Sequence, residues 1–221
     1  MNNSEPSSTE LASLLCSRLC HDLLSPVGAL SNGLELLADE QDPEMRKRCF
    51  ELLEQSAQIS TDKLKFFRLA YGAAGGFGEN VAVEEPKALI DALVGANKRI
   101  EVNWDLPGQS MPKAAVKVLL NFSQIAIDAL IRGGTLDIGA ETRDGATEIV
   151  VRAAGAKIAF DDTVGQALEG SLPAEDLSSR TAPAAMIAEL AKSGGGGLQY
   201  QRTDDALVLG AVLPQPEGMI G

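Results

Sequence analysis

His21 is the one histidine in this chain of 221 residues, and it lies in the stretch Arg18-Leu19-Cys20-His21-Asp22-Leu23-Leu24-Ser25-Pro26. An imidazole can ligate a metal, act as a base, or attack as a nucleophile. A metal site needs further ligands, and no second histidine exists here. A serine-type triad uses histidine as base for a nucleophile held by the fold, whereas helical periodicity turns this ring outward. Neutral imidazole is itself a nucleophile near pH 7 and can form a covalent intermediate. Phosphoryl transfer through a phosphohistidine is the chemistry that needs only this one ring.

The element that carries the ring is legible from leucine spacing. Leu11, Leu15, Leu19, Leu23, Leu30, Leu34 and Leu37 recur at helical intervals, which predicts one long amphipathic helix over residues 9–38, capped by Thr9. At roughly 100° per residue, the imidazole falls about 180° from that apolar stripe and faces water. Arg18, Ser25, Gly28 and Asn32 share the His21 side of the helix, at spacings of three and four. Asp22 lies beside the ring, placed to accept a proton or hydrogen bond from one nitrogen. Pro26 removes a helical hydrogen bond just beyond His21, which predicts a bend there.

His21-Asp22-Leu23-Leu24-Ser25-Pro26 resembles the phosphoacceptor box of two-component histidine kinases and phosphotransferases: histidine, an acidic residue, three more positions, then proline. The rest of the chain bears on which of the two it is.

Composition sets limits on the alternatives. With 45% hydrophobic and 23% charged residues the chain reads as globular. It has no apolar run of about 18 residues and no basic signal segment at its start, so a cytoplasmic protein without a membrane span is expected. Cys16, Cys20 and Cys49 are an odd number, read as small core or interface residues rather than disulfides or a zinc site. A net charge of −12 argues against wrapping nucleic acid and suits a basic protein partner.

Residues 1–8 read as disordered, and 39–43 as a short connection that makes the first two helices antiparallel. The second helix, over 43–71, carries a heptad-like seam: Met45, Cys49, Leu52, Ser56, Ile59, Lys63, Phe66 and Ala70. Leu53 and Phe67 widen that stripe beyond the needs of one partner helix, so a second copy is expected to complete a four-helix bundle. A glycine-rich linker over 72–79 then leads to a second domain over 80–221. There the sequence predicts helices over 86–95, 112–132 and 181–192. Strands are predicted over 100–106, 135–141, 147–153, 198–202 and 207–213, with a loop and one short helix over 160–178. The expected class is α+β: a helical hairpin followed by an α/β sandwich with helices on one face of a mostly antiparallel sheet. That order of elements resembles the ATP-binding domain of histidine kinases.

Set against that resemblance, the nucleotide boxes are degenerate. Gln124 and Asp128 stand where active kinases carry asparagine, and Ala153-Ala154-Gly155-Ala156-Lys157 lacks the adenine-binding aspartate. Ser178-Ser179-Arg180-Thr181-Ala182-Pro183 replaces the glycine-rich phosphate cradle. Gly194 to Gly197 reads as a helix stop. Nearly all of the chain resembles the alphaproteobacterial histidine phosphotransferases. The resemblance implies a cytoplasmic homodimer that binds no cofactor itself and uses Mg²⁺ supplied by a partner receiver domain. It implies a donor in the receiver domain of a CckA-like hybrid kinase and acceptors among CtrA-like and CpdR-like response regulators. His21 would be the nucleophile, Asp22 its orienting group, and Arg18, Ser25 and Pro26 the supporting motif. Arg18 or Ser25 would touch phosphoryl oxygens, and Leu14 and Leu24 would dock the receiver. The rival readings are an active sensor-type kinase and a dimeric adaptor that binds receivers without chemistry.

Overall fold

The structure is a computed structural model that describes residues 7–72, 80–95, 99–106 and 108–215. The first helix, α1 (Ser8–Asp39), starts one residue before the expected position. Its cap is Ser7, whose hydroxyl accepts from the Glu10 backbone N–H at 3.2 Å, and not Thr9. Ser7 and Ser8 are thus ordered parts of the helix start, and residues 1–6 lie outside the described residues. Helix α1 continues through Pro26 as a single element.

Helix α2 (Pro43–Tyr71) has the bounds that the sequence predicts, because Asp42 caps it and Pro43 occupies the first turn, where a missing N–H costs nothing. The turn between the helices is held by Arg46, which donates to the carbonyls of Leu37 at 3.2 Å and Glu40 at 2.8 Å. Where α1 and α2 meet, Gly33 permits close approach: a Cβ on it would lie 2.9 Å from Leu53 Cδ2. The seam of α2 divides. Cys49, Ser56, Phe66 and Ala70 are buried, Ile59 and Lys63 are half-buried, and Met45 and Leu52 are exposed. Cys16 and Cys20 are exposed in the single chain, so only Cys49 is a core residue.

The sandwich follows as β1 (Asn80–Ala82), α3 (Glu84–Gly95), β2 (Ile100–Asp105), β3 (Ser110–Pro112), α4 (Lys113–Ala129), β4 (Gly134–Arg143), β5 (Ala146–Ala154), α5 (Asp162–Glu169), α6 (Ala182–Ser193), β6 (Gly197–Arg202) and β7 (Ala206–Pro214). The five-stranded sheet runs β2-β4-β5-β7-β6, with β2 parallel to β4 and the other pairs antiparallel. Thr147, Ile149, Val151 and Ala153 of β5 alternate into the core, while Val150 stays half exposed on the far face. Helices α4 and α6 cover the inner face. Helix α4 is buried over most of its surface, from Ala115 and Val116 through Leu119, Leu120 and Phe122 to Ala126.

The small ladder β1–β3 escapes sequence reading because three-residue strands carry no usable period. The parallel edge pair β2–β4 is invisible for a different reason: strand direction is set by a crossover, here through α4. Residues 73–79, most of the expected linker, lie outside the described residues. On its near side the helical pair is not a separate body. Phe66, Phe67 and Ala70 belong to the same hydrophobic core as the sandwich. Phe67 also stacks on Tyr71 with ring centroids 5.4 Å apart.

Candidate functional site

His21 sits midway along α1 with its side chain 82% exposed. Its Nδ1 is 3.1 Å from Asp22 Oδ1. With the Asp22 carboxylate as acceptor, the ring carries its hydrogen on Nδ1 and turns the Nε2 lone pair to solvent. Asp22 is itself held, since its Oδ2 accepts from Arg18 Nε at 2.8 Å, one helical turn back. Arg18 in turn reaches across to the sandwich, where its guanidinium lies 3.4 Å from Asp128 Oδ2 on α4. The Gln124 amide donates to Asp128 Oδ1 at 2.8 Å. A polar chain therefore runs from the sandwich through Gln124, Asp128, Arg18 and Asp22 to His21.

Burial and charge pairing act against each other along this chain. Burial alone lowers the pKa of the Arg18 guanidinium, but the Asp22 carboxylate and then Asp128 more than offset it, so Arg18 is held above its ordinary value. Burial pushes the Asp128 carboxyl up, and Arg18 and Gln124 pull it back. Since 52% of the Asp128 side chain remains open to water, solvent screens that push and the pair with Arg18 stands as an ion pair. Tyr71, packed beside Arg18, has its phenol raised by burial and keeps its proton.

The remaining positions of the box divide by exposure. Ser25 is exposed beside the ring, Leu24 is 74% exposed, Leu14 is half-buried, and Pro26 is buried. Arg18 differs from the expectation. Only 19% of its side chain is exposed, and it faces Asp22 and Asp128 instead of sharing the open strip with His21. The cause is a carboxylate 110 positions away that only the fold brings close. Sequence reasoning also missed the contact of Lys63, whose Nζ donates to the Asp22 carbonyl at 2.8 Å. Its signal was a lysine in an otherwise apolar seam.

Helix α4 and the segment before α6 border a cleft of about 50 Å³ lined by Arg18, Tyr71, Asn121, Gln124, Asp128 and Arg180 among others. Sites for small organic ligands usually span ~300–1,000 Å³. Arg180 is paired with Asp161 at 3.2 Å. Ser178 and Thr181 close the preceding turn on themselves, with the Ser178 N–H donating to Thr181 Oγ1 at 2.9 Å. Among the described residues no cluster of three His, Cys, Asp or Glu side chains forms a metal site, and no helix is long and apolar enough to cross a membrane.

Comparison with known proteins identifies the family of the chain. The histidine phosphotransferase C-terminal domain family matches residues 83–206, more than half of the chain. Protein phosphotransferase ChpT of Brucella abortus (strain 2308) is 31% identical over 205 residues, covering 93% of this chain and 96% of the relative. A solved bacterial phosphotransferase superposes with a TM-score of 0.80 at 29% identity, covering 95% of this chain and 98% of that one. An exposed imidazole, held through Nδ1 on a helical stem, thus coincides with similarity to phosphotransferases along nearly the whole chain: the protein belongs to the histidine phosphotransferase family and is a phosphotransferase of two-component signalling.

Proposed function

We propose that this chain is the intermediate station of a multistep phosphorelay, taking a phosphoryl group onto His21 from one receiver domain and giving it to the aspartate of another. The observation that carries this reading is the free Nε2 of a ring that is 82% exposed and anchored through Nδ1. In the first step Nε2 attacks phosphorus in line, the N–P bond forms, and the P–O bond to the donor aspartate breaks with the carboxylate leaving. Asp22 keeps the Nδ1 hydrogen, so the positive charge that develops on the ring lies beside a carboxylate. The second step reverses the first: an acceptor aspartate attacks phosphorus and the N–P bond breaks. Transfer of this kind relies on positioning and on neutralising the phosphoryl oxygens, for which Mg²⁺ held by the receiver would serve. Ser25, exposed one turn beyond the ring, is the nearest box residue free to meet those oxygens. Leu24 offers an apolar contact for the docking receiver.

Two further observations support the reading. The 50 Å³ cleft and its paired Arg180 speak against a self-phosphorylating kinase. Val27, Leu34 and Leu36 on α1, with Met45, Phe50 and Leu52 on α2, stay exposed toward the turn end of the stem, where a second copy would bury them as a four-helix bundle. The donor and acceptors implied are receiver domains of the CckA-like, CtrA-like and CpdR-like kinds, met in the cytoplasm.

The test is to mix the purified protein with a labelled phospho-receiver. We expect an acid-labile, alkali-stable adduct on His21, no label from ATP alone, and loss of all transfer in His21→Ala without loss of fold, because the ring is exposed. Label from ATP alone would establish the kinase reading, and a receiver that binds but never transfers would establish the adaptor reading.

A further inference from the structure

Lys63 occupies a position in the α2 seam where helix packing calls for an apolar side chain, and nothing in phosphoryl transfer as described so far uses it. Its ammonium crosses to α1 and donates to the main-chain carbonyl of Asp22 at 2.8 Å. In an uninterrupted helix that carbonyl accepts the N–H of the residue four positions on. That residue is Pro26, buried inside α1, which has no N–H to give. The proline removes one donor from the helix, and the lysine of the neighbouring helix supplies another. A partly buried carbonyl that would otherwise be left unpaired is thereby satisfied.

Both ends of Asp22 are then fixed from outside its own turn. Arg18 holds the carboxylate at 2.8 Å, and Lys63 holds the main chain at 2.8 Å. Between these two grips the Asp22 Oδ1 lies 3.1 Å from the imidazole Nδ1. The Lys63 ammonium donates to a neutral carbonyl, and no carboxylate pairs with it among the described residues. Its positive charge is left uncancelled on the turn that receives the phosphoryl group.

We propose that Lys63 is a positioning residue for the phosphoacceptor, replacing the helical donor that Pro26 lacks so that Asp22 keeps the His21 ring in its Nδ1–H form. The proposal rests on His21 being the phosphoacceptor, and its test separates the two ideas. Restoring an N–H at position 26 makes the lysine dispensable, so the two positions are coupled in a way that two independent packing residues are not.

The experiment is a double-mutant cycle on the full chain. Transfer from a labelled phospho-receiver is followed over a range of receiver concentrations, so that the maximal rate is separated from half-saturation. Lys63→Met is expected to lower the maximal rate on the order of tenfold, with half-saturation moved by no more than about twofold. Lys63→Arg, which keeps a cationic donor, is expected to stay within about threefold of the parent. In the Pro26→Ala background, Lys63→Met is expected to change the rate by less than about threefold. Nitrogen-15 spectra of the His21 ring in the free protein give a second readout, with Nδ1–H predominant in the parent and a mixture of tautomers in Lys63→Met. An unchanged rate in Lys63→Met, or an equal loss in both backgrounds, overturns the proposal. If the parent takes no label from any receiver, the phosphorelay reading fails, and the ring spectra still decide whether Lys63 sets the tautomer. If Lys63→Met does not fold, an Arg variant that has lost the Nδ1–H form overturns it.

Discussion

The stem and the sandwich are built on opposite terms. In the sandwich, Phe122, Leu119, Leu120, Leu136, Ile149, Ile187 and Leu207 are completely buried, and the core they form is continuous from sheet to helices. In the stretch of the stem between Pro26 and Phe66, buried residues are few and small or polar, as Gly33, Cys49, Ser56 and Ser60 show, and large side chains such as Leu34, Leu36 and Leu52 remain open. The sandwich is stabilised by its own packing. The stem shares the sandwich core at one end, through Phe66, Phe67 and Ala70, and leaves large apolar side chains exposed toward the turn at the other. The role proposed for His21 suits that division, because a segment that other proteins must reach would then not be the segment that holds the molecule together.

Perturbations that act on one region and spare the other test this contrast. The largest effect is expected from Phe122→Ala, which empties a fully buried site in α4 and should lower global stability by about 3–5 kcal/mol in urea unfolding. If the stem is an independent folding unit, its helical signal would survive that loss in a separate transition; a single transition is expected. Next comes the paired change Leu34→Asp with Leu52→Asp. If a second copy covers the stem as proposed, this pair should give a monomer by light scattering where the parent is a dimer, while leaving the sandwich intact, because both side chains are more than half exposed in the single chain. Arg18→Met cuts the polar chain between the two regions and is expected to slow labelling of His21 about tenfold, equivalent to ~1.4 kcal/mol in the barrier. Unchanged labelling would mean that the sandwich does not support the site through this contact.

The smallest effect is a difference in acid response. Asp137 in β4 accepts from Asn103 and Arg152, and these bonds hold its carboxyl below the ordinary range. Its contribution is present above the unfolded value of about 3.9 and is lost as pH falls through the lower folded value. Asp128 has the opposite sign: burial raises its carboxyl, so its ionised form costs the folded state, and that cost lifts as pH falls through the raised value. Between pH 5 and pH 3, Asp137→Asn should therefore flatten the decline in urea midpoint, and Asp128→Asn should steepen it slightly.

Much of this arrangement is written locally. The lengths of α1 and α2, the outward ring and the Asp22 contact follow from spacing, caps and one proline, all within a few turns of His21. The departure from the kinase nucleotide boxes that the sequence reading expects is also local, since it depends on which residues stand at Gln124, Asp128 and Arg180. What could not be read is what those replacements do instead. Asp128 anchors Arg18 and Arg180 pairs with Asp161, and each contact needs an approach that hydrophobic patterning does not encode. The divided seam of α2 was hidden for a related reason. A stripe of apolar residues has the same period whether it faces a helix of its own chain or of another, so Met45 and Leu52 cannot be told from Cys49 and Ser56 by spacing.

The stem is seated at two places on the sandwich. Leu11, near the start of α1, is buried at the α6 side, and the last turns of α2 lie on α3 and α4. Both seats belong to the end of the antiparallel hairpin that lies away from its turn, so the stem projects from the sandwich as a cantilever supported at one end. On the proposed reading, a visiting receiver would meet the His21 ring toward the supported end of that cantilever, where Asp22 and Arg18 tie it to Asp128 of the sandwich, and not at the free turn.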